Sequence, residues 1–327
     1  MTPTAGAAGA DRAAARVEAA AALLGPSARR DVGLGERTTY RVGGRAALAV
    51  VPRREDELLE VAAVVAATGV PVLVVGRGSN LLVADAGFAG LAVLLGDGFD
   101  DIDIEAELVT AGGATSLPVL ARRTAAAGLR GFEWAVGVPG SVGGAVRMNA
   151  GGHGSDMAAC LEAARVVGLR SATVAWRPVG QLGLGYRRSS LTPTDVVVAA
   201  RIRCRAGDPA EAEAELAEIV RWRVANQPGG RNAGSVFTNP PEGPAGRLVE
   251  QAGMKGYRVG SAEVSTKHAN FIQVDEGGSA DDVVALIAVV RARVREVTGV
   301  DLSTEIRLVG FPATYPREMP CAGSPDA

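Results

Sequence analysis

The distribution of glycine constrains this chain more than any other feature of its sequence. Of the 327 residues, 43 are glycine, and many of them cluster at positions 76–78, 112–113, 137–144 and 151–154. Glycine tolerates positive φ angles and lets the backbone lie close against another group. A GC-rich genome would raise the total glycine and alanine content, but it does not explain the clustering. The clusters therefore predict backbone segments that wrap closely around a bound molecule.

Length and composition fit a chain with two or three compact units. Apolar residues make up 47% of the sequence and aromatic residues 4%, so a sizeable core of small side chains can be buried. The net charge is −2 and the basic residues are scattered, which disfavours nucleic acid as a partner. Cys160, Cys204, Cys321, His153 and His268 show no metal-binding spacing, and we predict no metal site.

The sequence favours a cytoplasmic protein. Its odd number of cysteines forms no disulfide framework, which suggests a reducing compartment. The N-terminus has no basic segment followed by an apolar core, and no apolar run is long enough to span a bilayer. We therefore expect a cytoplasmic location without membrane insertion.

Periodicity and turn residues predict a chain of mixed helices and strands. Helices are expected over residues 11–24, 55–68, 116–127, 210–225, 245–252 and 280–298. Strands are expected over residues 47–51, 70–75, 91–95, 102–104, 108–111, 165–167, 173–176, 196–203, 271–274 and 305–309. Residues 1–10 are weakly patterned and expected to be disordered, and residues 131–154 are expected to form one long glycine-rich loop.

The first glycine cluster lies in a loop that suits a phosphate. The run Gly76-Arg77-Gly78-Ser79-Asn80 follows a predicted buried strand. Consecutive backbone N–H groups in such a run can form an anion-binding nest, and Ser79 and Asn80 add side-chain donors. A plain turn between two strands would use the same residues.

The second cluster is denser. It comprises Gly137–Ala145 and is followed by Asn149-Ala150-Gly151-Gly152. The chain shows neither the Rossmann pattern here nor a Walker lysine. The density of glycine instead suits backbone wrapped around a long anionic cofactor.

The two loops resemble the FAD-pyrophosphate loops of the vanillyl-alcohol-oxidase-like flavoproteins. Four further motifs narrow the resemblance: Gly185-Tyr186-Arg187-Arg188-Ser189, Ala233–Pro240, Lys267–Phe271 and Thr304-Glu305-Ile306-Arg307. In this order, over residues 35–310, they are similar to the motifs of the UDP-N-acetylenolpyruvoylglucosamine reductase family. The stretch between Arg187 and Ser235 is too short for the inserted loop of one form of that family, so the resemblance is to the type II form.

The resemblance implies an α+β fold. A two-subdomain FAD-binding fold of the vanillyl-alcohol-oxidase/PCMH type would be followed by a C-terminal α+β substrate-binding domain. The implied division is an Ala-rich extension over residues 1–30, FAD-binding subdomains over 31–95 and 96–206, a substrate-binding domain over 207–311 and a disordered tail over 312–327. We expect a monomer.

The resemblance also implies an enzyme of peptidoglycan precursor synthesis, and with it a part in cell-wall biogenesis, cell shape, cell division and the cell cycle. NADPH as co-substrate would reduce non-covalently bound FAD. The flavin would then reduce the enolpyruvyl ether of UDP-N-acetylglucosamine to the lactyl ether of UDP-N-acetylmuramate. In such enzymes the cofactor carries the hydride chemistry, and the protein supplies geometry and electrostatics.

Three residues would carry the protein's part in that reaction. Arg187 would stabilise the charge that develops on the substrate carboxylate. A protonated Glu305 would donate a hydrogen bond to the same carboxylate, and Ser235 would give a proton to the adjacent carbon, a transfer that depends on position first. Without the resemblance, the three residues are ordinary: a solvated cation, an exposed carboxylate and part of a turn.

Other contacts are expected from the same motifs. The expected substrate contacts are Tyr186, Asn239 and His268, although Asn239 is equally suited to cap a turn and His268 to lie in a core with its nitrogens satisfied. The expected cofactor contacts are Gly76, Gly78, Ser79, Asn80, Leu81, Gly137, Pro139, Gly140, Ser141, Gly143 and Gly144.

Two other interpretations stay open from the sequence. An oxidase of the same flavin fold would return electrons to oxygen; many such enzymes hold FAD through a histidine in the glycine loops, and neither loop contains one. A non-catalytic flavin-binding or nucleotide-sugar-binding module would need no proton donor, and the joint presence of Arg187, Ser235 and Glu305 argues against it. Fold alone would not separate these interpretations.

Overall fold

The computed structural model describes residues 5–312, with the side chains of residues 5–10 excepted. Residues 1–4, for which disorder is expected, lie outside the described residues, as does the expected disordered tail from residue 313 onward. The expectation of disorder is wrong for residues 5–10, which belong to helix α1, Ala5–Leu24. The alanine-rich composition explains this, because alanine has the highest helix propensity.

The described residues form two compact units, each assembled from separate stretches of sequence. Unit 1 takes in residues 5–32, Ala46–Arg77 and Ala89–Val220, and unit 2 takes in Gly33–Arg45, Gly78–Phe88 and residues 221–312. The division of the chain at residues 30, 95, 206 and 311 follows sequence order and stays a prediction.

The helices begin and end at signals that the sequence displays. They are α1, α2 Glu55–Thr68, α3 Leu117–Ala126, α4 Val142–Met148, α5 Pro209–Asn226, α6 Ala245–Gln251 and α7 Ala280–Thr298. Helices α2 and α7 agree with the predicted bounds. Ser279 caps α7 by accepting hydrogen bonds from two backbone N–H groups, and α2 and α7 end at Gly69 and Gly299 with φ angles of 63° and 75°.

Helix α4 lies inside the segment 131–154, for which the sequence predicts one long loop. That prediction is wrong for Val142–Met148. The side chain of Ser141 caps the helix by accepting from Gly144 N at 3.3 Å. Such a cap offsets the low helix propensity of the glycines in the first turn. Asn149 then ends the helix with a φ of 41°.

The strands are short and numerous. They are β1 Arg29–Gly33, β2 Arg45–Val50, β3 Val72–Val75, β4 Leu81–Val83, β5 Phe88–Leu94, β6 Ile102–Glu105, β7 Leu108–Gly112, β8 Leu129–Arg130, β9 Gly151–Gly152, β10 Ser155–Asp156, β11 Leu161–Gly168, β12 Thr173–Pro178, β13 Asp195–Arg203, β14 Arg205–Ala206, β15 Arg258–Val259, β16 Ala262–Val264, β17 Ile272–Val274 and β18 Arg307–Val309.

Unit 1 is built on two larger sheets, beside the two-stranded pairs β9–β10 and β8–β14. A four-stranded sheet has the order β1-β2-β5-β3, in which β3 and β5 are parallel. A five-stranded sheet has the order β12-β11-β13-β7-β6 and is antiparallel throughout. Leu48 and Leu91 of the first sheet and Val167 of the second share one apolar core with residues of α1 and α2.

The five-stranded sheet is buried on both faces. Along β13, Val196 and Val198 belong to the core shared with the four-stranded sheet, whereas Val197 and Ala200 belong to a second core. Residues 196–198 follow the period of two expected of a strand, and the irregularity in the β11–β13 pairing between Val197 and Ala199 puts Ala200 on the same face as Val197. The second core is completed by residues of α3, α4 and α5. Helix α4 is therefore anchored to the sheet through its apolar side.

Unit 2 combines a three-stranded antiparallel sheet, β15-β16-β17, with a parallel pair, β4 and β18. Helices α6 and α7 contribute a large share of its apolar core, which also contains the fully buried Tyr40 and Leu82. Two stretches from the first third of the sequence, 33–45 and 78–88, thus belong to the same unit as residues 221–312. Within residues 5–312, none of the helices combines the length and apolar content that crossing a lipid bilayer requires.

Candidate active site

In unit 1, the second glycine loop lies directly against the end of strand β7. Gly143 N donates to Gly113 O and Val142 N donates to Thr115 O, both at 2.9 Å. A Cβ atom at Gly143 would lie 3.0 Å from Val197 O and 3.1 Å from Gly113 O. The backbone therefore approaches its neighbours so closely that position 143 favours glycine.

The first glycine loop begins beside the second one. A Cβ atom at Gly76 would lie 2.6 Å from the hydroxyl oxygen of Ser141, which caps helix α4. A side chain at position 76 would therefore collide with the cap. Both residues belong to unit 1, and their proximity is what a cofactor that contacts both loops requires.

The remaining predicted residues of the second loop lie on either side of Ser141 in the sequence. Gly137 ends a 3-10 helix over Glu133–Gly137, and Gly140 N donates to Val138 O at 2.8 Å in the turn that contains Pro139. Gly144 lies in the first turn of α4 with Gly143. The predicted residues from 137 to 144 thus form one continuous turn and helix start.

A buried hydroxyl beside this loop supports cofactor binding. Thr115 is fully buried, and its Oγ1 has no hydrogen-bond partner among the described residues. A buried polar group left unpaired costs about 1–3 kcal/mol. The glycine backbone of the loop, the capped turn at Ser141 and the unpaired hydroxyl of Thr115 together fit a large polar cofactor such as FAD.

The segment Gly112–Thr115 is not among the residues predicted from the sequence to contact the cofactor. Its glycine pair is visible as one of the clusters, and it lies where strand β7 ends and helix α3 is about to begin. That strand-to-helix position is the signal that would have singled it out.

The rest of the first loop belongs to unit 2, where it packs against the segment 37–39. A Cβ atom at Gly78, whose φ is 65°, would lie 2.2 Å from Arg37 O. Thr39 N donates to Gly78 O at 3.3 Å, and the Thr39 hydroxyl is another buried group without a partner among the described residues. Ser79 is half-buried, and Leu81 starts strand β4. The sequence predicts no role for Thr39.

Asn80 connects the first loop to the segment that carries Glu305. Its Nδ2 donates to Glu305 O at 3.1 Å, and Arg307 N donates to Asn80 O at 2.9 Å. Leu81 pairs with Arg307 where β4 and β18 run parallel. The side-chain amide of Asn80, expected to contact the cofactor, therefore donates to the protein backbone.

Ser235 and Glu305 lie on neighbouring stretches of backbone in unit 2. Glu305 N donates to Val236 O at 2.7 Å, and Phe237 and Thr304 form an isolated antiparallel bridge. Both Ser235 and Glu305 are partly exposed. The structure thus brings together two of the three residues predicted to act on the substrate.

Arg187, the third of these residues, lies in unit 1 at the tip of a tight turn. Gly185 and Arg188 exchange two backbone hydrogen bonds, both at 3.1 Å, and Arg187 has a φ of 54°. A residue other than glycine in this left-handed region costs about 1–2 kcal/mol. Its guanidinium donates to Gly151 O at 3.0 Å and lies over the half-exposed ring of Tyr186, 5.0 Å from the centroid.

Asn149, at the end of α4, holds this turn in place. It is buried, and its Nδ2 donates to Gly185 O and to Asp156 Oδ2, both at 3.0 Å, while its Oδ1 accepts from Ala158 N at 2.8 Å. The second loop and the Arg187 turn are therefore joined within unit 1. The sequence shows Asn149 only as part of the Asn-Ala-Gly run.

The predicted substrate residues Asn239 and His268 have structural contacts in unit 2. Asn239 Oδ1 accepts from Ala245 N at 2.9 Å, at the start of α6, which is the capping role that the sequence left open. His268 Nδ1 accepts from Asn270 N at 3.2 Å, and its ring contacts that of Phe271 edge-on at 4.8 Å. Burial lowers the pKa of His268.

Comparisons with known proteins agree with this arrangement. Residues 46–175 match a family model described as an FAD binding domain, and residues 225–309 match one described as the C-terminal domain of UDP-N-acetylenolpyruvoylglucosamine reductase. The chain is 42% identical over 291 residues to UDP-N-acetylenolpyruvoylglucosamine reductase of Rubrobacter xylanophilus, a match that covers 88% of this chain and 97% of that protein. It is 40% identical over 280 residues to the Bacillus subtilis reductase, covering 85% and 92%.

A solved structure has the same fold. The crystal structure of UDP-N-acetylenolpyruvylglucosamine reductase from Thermus caldophilus superposes with a TM-score of 0.75 at 37% sequence identity. The superposition covers 86% of this chain and 99% of that one.

Fold and site together define an FAD-dependent oxidoreductase of α+β class, with an FAD-binding part followed by a C-terminal substrate-binding part. The expected fold class and the FAD cofactor are thereby confirmed. More particularly, the chain belongs to the UDP-N-acetylenolpyruvoylglucosamine reductase family.

Proposed function

We propose that the chain catalyses the NADPH-dependent reduction of UDP-N-acetylglucosamine enolpyruvate to UDP-N-acetylmuramate. The two glycine loops would hold FAD, which would supply the hydride chemistry between NADPH and the methylene carbon of the enolpyruvyl group. The protein's own task is to bind the substrate carboxylate, stabilise the charge that develops on it and supply one proton.

The observation that carries this proposal is the direct hydrogen bond between the Glu305 and Val236 backbones, 2.7 Å long, which ties Glu305 to the residue after Ser235. Because their backbones are neighbours, the side chains of Ser235 and Glu305 stay at a nearly fixed distance and orientation to each other. A proton donor and a carboxylate-binding group need this fixed placement, because the substrate carbon that accepts the proton is bonded directly to the carboxylate.

Ser235 would donate the proton. A serine hydroxyl is a weak acid, but an enediolate carbon is a strong base, so proton transfer depends on placing the hydroxyl within hydrogen-bond reach of that carbon. Glu305, protonated, would donate a hydrogen bond to the substrate carboxylate, and the reduced alkene would leave as the lactyl ether.

Arg187 would stabilise the charge that develops on the carboxylate. A guanidinium offers a planar fork of donors that matches a carboxylate, and donors fixed in advance need no reorganisation during the reaction. The turn 185–188, the bond to Gly151 O and the Asn149 side chain restrict where this guanidinium can go.

The remaining predictions are part of the same proposal. The residues of the two glycine loops would contact FAD, and Tyr186, Asn239 and His268 would contact the substrate. The enzyme would be a cytoplasmic monomer of the type II form, divided at residues 95 and 206, and would serve cell shape and division through the cell wall. Light scattering on the purified protein tests the monomer.

Rapid mixing under anaerobic conditions tests the function, because it separates reduction by NADPH from reoxidation by the enolpyruvyl nucleotide. In the Ser235→Ala variant we expect normal loss of the yellow colour with NADPH and reoxidation about 100-fold slower or more. Equal reoxidation rates would remove Ser235 from its role. Rapid NADPH consumption with peroxide release and no substrate would instead favour an oxidase.

A further inference from the structure

The segment that follows Ser235 is held from two sides. On one side Glu305 N donates to Val236 O at 2.7 Å. On the other side Val236 N donates to Asn270 O at 2.8 Å. The backbone of Val236 is therefore hydrogen-bonded to Glu305 on one side and to Asn270 on the other, and Ser235 is the residue immediately before it.

The side chain of Asn270 strengthens this arrangement at the next residue. Its Oδ1 accepts from Phe237 N at 2.9 Å, and its Nδ2 donates to Phe237 O at 2.8 Å. One carboxamide thus satisfies both backbone groups of a single residue, as a neighbouring strand would. The two bonds also fix which amide atom is oxygen and which is nitrogen, because the exchange of the two would place like groups together.

Burial makes these two bonds hard to replace. Asn270 is 4% exposed and Phe237 is 2% exposed. Bulk solvent does not reach the Phe237 backbone groups at this depth, so the loss of the amide deprives them of the partner that buried polar groups require. The backbone would have to move to find new ones.

Such a movement would reach Ser235 from its C-terminal side. On its N-terminal side the chain turns at Gly234, with a φ of 76°, where Asn232 Oδ1 accepts from Gly234 N at 3.0 Å. Glycine permits many backbone conformations there. The direction of the Ser235 side chain is therefore set largely by the fixed stretch Val236–Phe237.

We propose that Asn270 is a positioning residue for Ser235: its amide fixes the Val236–Phe237 backbone so that the Ser235 hydroxyl is aimed for proton transfer. This inference rests on the proposed function of Ser235. Small displacements matter for such a step, since misplacement by about 1 Å can cost about 100-fold in rate.

Two variants test it. Asn270→Asp keeps an acceptor for Phe237 N but turns an oxygen toward Phe237 O, and Asn270→Ser shortens the side chain out of reach of both. We expect reoxidation of the reduced enzyme by UDP-N-acetylglucosamine enolpyruvate to slow about 10- to 100-fold in either variant, with reduction by NADPH unchanged. The solvent deuterium isotope effect on reoxidation should increase, because proton transfer becomes rate-limiting. Reoxidation at the wild-type rate in either folded variant would overturn the proposal.

A double-mutant cycle separates this inference from the proposed function. If Asn270 acts through Ser235, then Asn270→Asp should slow reoxidation no further in a Ser235→Ala background. A fully additive effect would overturn the positioning role while leaving Ser235 as the acid. If Ser235→Ala alone has no effect, the proposed function of Ser235 fails, and the role of Asn270 fails with it.

A control variant excludes a merely structural effect. Val284→Ala shortens a fully buried side chain of helix α7 in the same unit and replaces no atom of the Asn270–Phe237 hydrogen bonds. It should lower the melting temperature and leave the ratio of the two half-reaction rates unchanged. In the wild-type protein, the Asn270 side-chain N–H signals should exchange slowly with deuterium in nuclear magnetic resonance spectra. Fast exchange would contradict the proposal without any activity measurement.

Discussion

The side-chain amide of Asn80 donates a hydrogen bond to the main-chain oxygen of Glu305, 3.1 Å away and 225 residues later in the sequence. Arg307 N donates to Asn80 O at 2.9 Å, so the two segments are joined twice. A residue of the first glycine loop thus helps to hold the backbone of the proposed carboxylate-binding residue.

We expect Asn80→Ala to destabilise the protein by about 1 kcal/mol, the usual contribution of one hydrogen bond, and to slow reoxidation of the enzyme by the enolpyruvyl nucleotide. Urea unfolding and rapid mixing measure the two effects. Asn226→Ala is the matched control, because its Nδ2 also donates to a backbone oxygen, that of Trp222, but in an exposed part of α5. Equal unfolding midpoints and equal reoxidation rates for the two variants would contradict the role of Asn80.

Asn149→Gly should disturb the turn of Arg187. Glycine tolerates the φ of 41° at this position, so the variant removes the amide without adding backbone strain. Gly185 O keeps the bond from Arg188 N but loses the one from the Asn149 amide, and Ala158 N loses its acceptor, at about 0.5–1.5 kcal/mol for each hydrogen bond lost. We expect slower reoxidation by the substrate and weaker substrate binding by calorimetry. Unchanged binding and rates would show that the amide does not position Arg187.

Arg130→Met should destabilise unit 1 strongly. Arg130 forms ion pairs with the buried Glu133 and with Glu211 and Glu215 of α5. Removing the cation leaves the Glu133 carboxylate buried without its partner, which costs about 3–5 kcal/mol.

The matched control for that variant is Arg203→Met, whose partner Glu162 is exposed. Here the expected loss is only about 0–1 kcal/mol, since water solvates the remaining carboxylate. Chemical denaturation measures both. Similar losses of unfolding free energy in Arg130→Met and Arg203→Met would show that the burial of Glu133 makes no difference.

Two buried cysteines should make the protein less stable in alkali. Burial raises the pKa of Cys160 to about 12 and that of Cys204 to about 11, from 9.0. The unfolded chain therefore releases these protons first, so this contribution to folding is complete below pH 9 and is lost as the pH rises through 11 to 12.

The measurement is the free energy of unfolding against pH from 8 to about 10.5, in a Cys321→Ser background. Replacing Cys160 and Cys204 with alanine should flatten the decline. At pH 8 the two thiols should also resist iodoacetamide in the folded protein, because only the thiolate reacts. Rapid alkylation of either one would contradict the raised pKa.

His268 should make the protein less stable in acid. Burial lowers its pKa below 6.5, so the unfolded chain binds the proton more tightly and stability is lost as the pH falls below that value. The chain has only two histidines, and the imidazole signals can be assigned with a His268→Gln variant. A pKa for His268 above 6.5 in the folded protein would contradict this.

Several elements could be predicted because their signals are local. Helix α2 ends at Gly69 and α7 starts at Ser279, and both bounds follow from side chains within one turn of the helix end. Helix α4 could not be predicted in this way. Its glycines disfavour a helix, and the contacts that stabilise it, such as that of Gly143 with Gly113, come from residues distant in sequence.

The candidate site divides along the same line. Motifs in the sequence drew attention to Arg187, Ser235 and Glu305, because their residue types recur in a fixed order. Thr115 carries no such mark, and Asn149 and Asn270 stand in sequence motifs without an assigned role, since the role of a buried polar group becomes visible only when its partners and its burial are known.

The sequence by itself determined the family, the order of every helix except α4 among those described, and the residues that could carry the chemistry, because these depend on residue type and spacing. Only the tertiary structure decided what holds those residues. The glycine loop at Asn80 and the backbone of Glu305 share no local signal, and their hydrogen bond, between residues 225 apart, exists because the strands β4 and β18 that follow them pair side by side. Pairings of that kind are set by packing of the whole unit, which no stretch of sequence encodes alone.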